Sequence, residues 1–257
     1  MDHGGTLLTE TSAHNGAALE LRDLCVEVEG REILRGVNMA IGYGETHVLF
    51  GPNGSGKTTL LMAIMGFPRY RVTGGSIFLG GEDVTTLPPH DRARRGIGMM
   101  FQRPPTVRGV SLEQMAAICS RDGVDVRAVA AELNLEDFLG RDVNHGFSGG
   151  EIKRSELLQL MAQNPEVVLL DEPESGVDME NLQLVGRAIR VLLQKDLRRR
   201  RRKCGLIITH TGYILDYVEA DQGHVLCEGA IVCSGNPREQ LEGIRKYGFE
   251  ECAKCTR

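Results

Sequence analysis

Hydrophobic and charged positions alternate from Leu19 onward: Leu19, Leu21, Leu24, Val26 and Val28 punctuate polar residues until Gly30 ends the run. Ile33 to Ile41 repeats the pattern, so the chain opens with an antiparallel β element. His47-Val48-Leu49-Phe50 replaces alternation with an unbroken apolar run, the mark of a short buried strand. Leu60 to Met65 continues a helix that begins near Lys57. Gly74 to Leu79 reads as a strand closed by Gly80-Gly81, Thr85 to Arg95 as a turn and short helix, and Ile97 to Phe101 as a buried strand. The stretch from Ser111 to Leu139 has helical spacing at Met115, Ile118, Val126, Val129 and Leu133. Ser148 and Glu151 have the spacing of a capping box, which starts a helix that runs to about Ala162 and stops before Pro165. Val167 to Leu170 is wholly apolar, as strands of a parallel sheet are. A stripe of Leu182, Val185, Ile189 and Leu192 predicts a helix ending near Lys195, and Leu206 to Thr209 another core strand. A helix at Ile214 to Val218, strands around Val225-Leu226 and Ile231-Val232, and a helix from Pro237 to about Tyr247 complete an α/β chain.

Composition adds bounds. Of 257 residues, 41% are hydrophobic and 25% charged, the balance of a globular protein with one large domain or two joined lobes. No apolar run approaches the ~18–20 residues of a membrane-spanning helix. Met1 to Ala18 is polar, without a basic segment followed by an apolar one, and reads as a flexible tail over residues 1–18. A cytoplasmic location is expected, with no membrane insertion. The formal net charge of −5 argues against direct nucleic-acid binding. Seven scattered cysteines form no disulfide framework.

The chemistry gathers at strand ends. Gly51-Pro52-Asn53-Gly54-Ser55-Gly56-Lys57-Thr58-Thr59 lies between a strand and a helix, the setting of a phosphate-binding P-loop. Its glycines admit backbone N–H groups to phosphate oxygens, and the helix start adds unpaired donors and partial positive charge. Lys57 is expected at the β- and γ-phosphates and Thr58 at Mg²⁺. Asp171-Glu172 ends the apolar strand, so Asp171 is expected to hold Mg²⁺ through water and Glu172 to orient or deprotonate the attacking water. Gln102 follows another strand and is a candidate contact to Mg²⁺ or that water; His210, at a third strand end, is a candidate sensor of the γ-phosphate. Ser148-Gly149-Gly150 starts a helix with two glycines, each about 1 kcal/mol worse than Ala, which favours a second phosphate-binding helix end. The run Arg198–Lys203 is expected to be a solvated loop. Cys252-Ala253-Lys254-Cys255 supplies half of a four-thiolate metal site.

GPNGSGKTT, Gln102, FSGGE, VVLLDEP, ESGVD up to Asp178, and Thr209-His210 occur in order over most of the length. With them the chain resembles the ABC-type ATPases, and FSGGEIKRSELLQL, DEPESGVD and the stretch from Ile208 to Gly235 are similar to the SufC subgroup of iron–sulfur cluster assembly. Val28 suits that subgroup, which lacks the aromatic that stacks on adenine. The Arg198–Lys203 run and the terminal C-x2-C depart from it. The resemblance implies a P-loop fold with a RecA-like core, an antiparallel β subdomain and a helical subdomain. The ABC domain would span residues 19–246, its helical part about 103–164, with a tail over 247–257. It further implies MgATP held in a head-to-tail homodimer. Gly51–Thr59 of one subunit would face Ser148, Gly149 and Gly150 of the other, Asp178 would contact the opposing subunit, and His210 the γ-phosphate. Gln102 and the helical lobe would pass nucleotide state to a SufB- or SufD-like scaffold. Two alternatives are the ATPase subunit of a membrane transporter and a non-transport DNA or translation factor.

Overall fold

A computed structural model describes residues 16–121, 123–197 and 202–249. Strand β1 (Ala17–Val28) turns through Glu29 and Gly30, both at positive φ, into β2 (Arg31–Gly42). That turn matches the right-handed twist of an antiparallel hairpin. Next come β3 (Thr46–Phe50), α1 (Lys57–Met65), β4 (Tyr70–Leu79), β5 (Glu82–Asp83), α2 (Pro89–Arg94) and β6 (Ile97–Met100). A middle stretch holds β7 (Val107–Ser111), α3 (Leu112–Cys119), α4 (Val126–Glu132), β8 (Asp142–Val143) and α5 (Gly149–Gln163). The chain continues with β9 (Val167–Asp171), α6 (Met179–Leu192), β10 (Cys204–Ile208), β11 (Gln222–Cys227), β12 (Ala230–Gly235) and α7 (Pro237–Tyr247).

The larger sheet has the order β12-β11-β3-β10-β9-β6, parallel throughout except for β12 at one edge. The other main sheet is antiparallel, β2-β1-β4-β5. The unbroken apolar runs are explained by burial on both faces of the parallel sheet. Val48, Phe50, Val168, Leu170 and Ile207 pack on the side of α5 and α6. Leu49, Val167, Leu169, Leu206 and Ile208 pack on the side of α1 and the antiparallel sheet. A period of two with apolar residues at both phases leaves no polar phase to read.

Two expectations change. Ser111–Leu139 is not one helical stretch: Ser111 caps α3 through a capping box with Gln114, Asp125 caps α4, and a 3₁₀ turn follows at Glu136–Phe138. The short pair β7 and β8 brackets these helices and was not signalled by any hydrophobic alternation. At Ile214–Val218 the chain makes one 3₁₀ turn, Tyr213–Asp216, entered through Gly212 at positive φ, too short for a helical stripe. Among the described residues no helix is long and apolar enough to cross a membrane. Residues 198–201 and the pair Cys252 and Cys255 lie outside the described residues.

Candidate functional site

Parallel strands deliver the candidate residues to one edge of the sheet, where β3, β6, β9 and β10 end. This edge is where ligands bind in open α/β sheets. Phe50 hands the chain to Gly51, where an added Cβ would lie 2.3 Å from the Leu226 carbonyl oxygen. Only glycine lets the loop lie against β11 at that point. Asn53 and Gly54 form its exposed crest, Pro52 is half-buried, and Ser55 is buried with a hydroxyl that meets no partner among the described residues. Lys57 is buried at the first turn of α1, and its ammonium donates to the carbonyls of Gly51 and Pro52, both at 2.9 Å. Burial lowers its pKa from the ordinary lysine value, against the pull of Glu172 and Asp171. Thr59 is half-buried in the same turn.

Thr58 Oγ1 donates to Asp171 Oδ2 at 3.0 Å, which joins the helix start to the end of β9. Asp171 is buried, and its Oδ1 has no hydrogen-bond partner among the described residues. Burial raises the Asp171 pKa, while the Thr58 hydroxyl opposes that shift. An orphaned carboxylate oxygen beside a threonine hydroxyl is the hard-oxygen donor pair that Mg²⁺ takes, usually through retained waters. These residues fit that ion.

Glu172 has φ +49°, an uncommon backbone state for this residue type. Its Oε2 accepts from Gln102 Nε2 at 2.7 Å, and its Oε1 lies 2.7 Å from His210 Nε2. Three strand ends thus meet at one carboxylate. The pKa of His210 is lowered by burial first and by Lys57 second, so the neutral imidazole is favoured. Gln102 is tied to Glu172 through its amide nitrogen, so of its side chain only the amide oxygen suits a metal.

Two residues behind Gln102 were not singled out from the sequence. Lys153 donates to the carbonyls of Phe101 and Gln102 at 2.9 and 3.1 Å, and Glu156 Oε1 accepts the Phe101 N–H at 3.0 Å. Both sit one turn apart on α5 and are buried. Burial pushes the Glu156 carboxyl up to about 7. The available signal was an i,i+3 pair of opposite charges on the helix after FSGGE.

Ser148 caps α5: its hydroxyl accepts from Glu151 N–H while Glu151 Oε2 accepts from Ser148 N–H at 2.7 Å. The two glycines that follow have a reason within their own chain. A Cβ on Gly149 would lie 2.2 Å from the Gly176 carbonyl oxygen, and Gly150 is buried against Asn181. Close packing within the chain therefore favours glycine at both positions, apart from any ligand. Asp178 caps α6, accepting from Asn181 N–H at 2.9 Å and from its side-chain amide at 2.8 Å. Among the described residues no hydrogen bond links Ser148–Gly150 to residues 51–59. The two glycine-rich elements are separate within one chain.

Comparison with known proteins agrees with this geometry. The family model described as ABC transporter matches residues 34–175. A protein of Bacillus subtilis called vegetative protein 296 is 40% identical over 248 residues, 91% of this chain and 92% of its own. A probable ATP-dependent transporter of Synechocystis is 37% identical, covering 90% of this chain and 94% of its own. The solved structure of an ATP-binding subunit of an ABC transporter superposes with a TM-score of 0.75 at 20% identity, covering 93% of this chain and 99% of that one, which speaks to fold alone. Family and fold thus converge on one answer: the chain belongs to the ABC transporter family, as an ATP-binding, ABC-type ATPase.

Proposed function

We propose that this ATPase is a SufC-like subunit that drives a conformational change in a SufB- or SufD-like scaffold during iron–sulfur cluster assembly. The observation that carries the ATPase part is the meeting of Gln102, Glu172 and His210 beside Lys57 and Thr58. The scaffold part rests on FSGGE where transporter subunits commonly read LSGGQ, and on the DYVEADQGHVL stretch. The protein works in the cytoplasm without inserting in a membrane and without binding nucleic acid directly.

Gly51 to Thr59 wrap the triphosphate, with Lys57 exchanging the carbonyls of Gly51 and Pro52 for β- and γ-phosphate oxygens. Thr58 and Asp171, with the Gln102 amide oxygen, would hold Mg²⁺, which when bound would supply charge neutralisation at the phosphates. Glu172 orients the attacking water and takes its proton. His210, neutral, donates a hydrogen bond to the γ-phosphate. Ser148, Gly149 and Gly150 of a second copy complete the site, and Asp178 meets the opposing subunit. Lys153 and Glu156 fix the backbone around Gln102, so movement of Gln102 reaches α5 and, through it, α3, which packs against α5. That is the route by which nucleotide state reaches the scaffold.

A second reading is favoured by the name of the Synechocystis relative, a probable ATP-dependent transporter: here the partner would be a membrane permease. Affinity capture of the tagged chain from native extract, with identification of what binds, separates the two. A soluble scaffold is expected; a permease in its place would overturn the assembly role while leaving the ATPase chemistry intact.

A further inference from the structure

We propose that a cationic cleft at the opposite edge of the parallel sheet from Lys57 binds a phosphate dianion, as inorganic phosphate or a small phosphate monoester. Gly96, Glu166 and Lys203 immediately precede β6, β9 and β10, so the cleft opens where those strands begin. Its volume is about 390 Å³, and Arg94, Arg95, Arg121, Arg202 and Lys203 line it together with a single carboxylate, Glu166.

Lys203 decides the matter. The basic run was expected to be a solvated loop, yet Lys203 is only 8% exposed. It makes no hydrogen bond or ion pair among the described residues, and burial alone acts on its ammonium, lowering its pKa with no carboxylate to offset the effect. A buried cation without a partner is costly, and chains retain one where a ligand supplies the missing charge. The neighbours show which charges remain open. Arg95 is forked onto Glu82 with both bonds at 3.0 Å, and Arg94 reaches Asp91 at 3.2 Å. Among the described residues the Arg121 guanidinium bonds only to the neutral carbonyls of Ala93 and Arg94, so its charge is not offset by a carboxylate there. Arg202 is anchored by its backbone N–H to Gln194 Oε1 at 3.1 Å, and its guanidinium meets no carboxylate among the described residues. Arg121, Arg202 and Lys203 set against Glu166 leave an excess of about two positive charges, the charge of a phosphate monoester near neutral pH. A phosphodiester strand carries one charge per phosphate and is read along an exposed groove, whereas here the central cation is buried.

The test fills the P-loop first. Protein with excess Mg²⁺ and a non-hydrolysable ATP analogue is titrated with inorganic phosphate, and in a parallel arm with phenyl phosphate, while backbone amide NMR shifts are followed at Gly96, Glu166 and Cys204. Saturable shifts are expected. Lys203→Ala should weaken binding about tenfold or more, the loss of one charge-assisted hydrogen bond, and Arg202→Ala severalfold. Lys203→Arg should restore most of it. Lys203→Ala should melt no lower than wild type, because it removes an unpaired buried cation, so misfolding cannot imitate the effect. Tighter binding of phenyl phosphate would identify an ester as the source. Absence of saturable shifts in wild type, or equal affinity in Lys203→Ala, would overturn the proposal. So would tighter, Lys203-dependent binding of an oligothymidylate lacking terminal phosphates.

Discussion

Arg92→Met removes a guanidinium that ties the far end of the P-loop helix to the rest of the domain. Arg92 is 2% exposed. Its Nη1 donates to the carbonyls of Ala63 and Ile64 at 2.9 Å, its Nη2 to Thr85 at 2.7 Å and its Nε to Leu87 at 2.8 Å. Two of those carbonyls belong to the last turn of α1, which has no basic residue of its own there. Burial brings the Arg92 pKa down to about 10, so it stays cationic at pH 7. Methionine fills much of the volume but removes all four hydrogen bonds, leaving the Ala63 carbonyl with the Gly66 N–H alone. At about 1 kcal/mol per acceptor, plus ~0.5 kcal/mol for the helix dipole, the loss is ~4–5 kcal/mol. Recovering the desolvation of the cation returns part of it, for a net of about 3 kcal/mol. In a domain stable by roughly 5–15 kcal/mol this lowers the melting temperature by ~6–12 °C. Arg92→Lys keeps the charge but not the planar fork and should lose roughly half as much. The chain has no tryptophan, so urea unfolding is best followed by far-ultraviolet circular dichroism. If Arg92→Met unfolds within ~0.5 kcal/mol of wild type, the fork contributes nothing net and the reasoning fails.

Glu172→Gln should keep ATP binding and lower turnover by ~10²-fold or more; wild-type turnover would remove Glu172 from the base role. Gly149→Ala places a methyl 2.2 Å from the Gly176 carbonyl oxygen and should cost about 1–3 kcal/mol in urea unfolding, with no change refuting that close approach. The pH dependence of stability has two opposed parts. His224 is buried against His47, with its pKa lowered to about 4 by burial and then by His47. Between about pH 6.5 and 4 the unfolded chain takes a proton that the fold refuses, so stability falls on acidification. The carboxyl of Glu156, at about 7, is protonated in the fold while ionised in the unfolded chain from about pH 4.5 to 7, so stability rises on acidification. Glu156→Gln removes only the second effect and should make the decline from pH 7 to 5 steeper than in wild type by denaturant midpoint; an equal or shallower slope would contradict it.

The parallel strands and the P-loop could be read because their cause is local: four or five consecutive apolar residues, or a loop whose glycines, lysine and threonine do one job. The supports of the site could not. Lys153 and Glu156 act on Phe101 across 52 and 55 residues of sequence. They do so from α5, whose consecutive residues Lys153, Arg154, Ser155 and Glu156 are all buried. An amphipathic stripe assigns such residues to water, and the packing of α5 between sheet and helices overrides it. Arg92 escaped for the same reason, since nothing near Arg92 in sequence reveals that α1 ends beside it. Lys203 reversed its expectation because the charged run suggested solvent, while the strand that follows it draws it under the surface.

Gly176 presses its carbonyl against Gly149, and Asn181 joins Gly150 to Asp178. The two segments proposed to meet a second subunit are therefore one assembled patch before any encounter. Association then orders one rigid surface in place of two independent loops, and each side chain already fixed spares roughly 0.5–1.5 kcal/mol of conformational entropy. Selection on such a surface acts through folding stability as much as through contact: a substitution at Gly176 that touches no neighbouring subunit would still slow dimer closure, by returning to the patch the freedom that folding had removed.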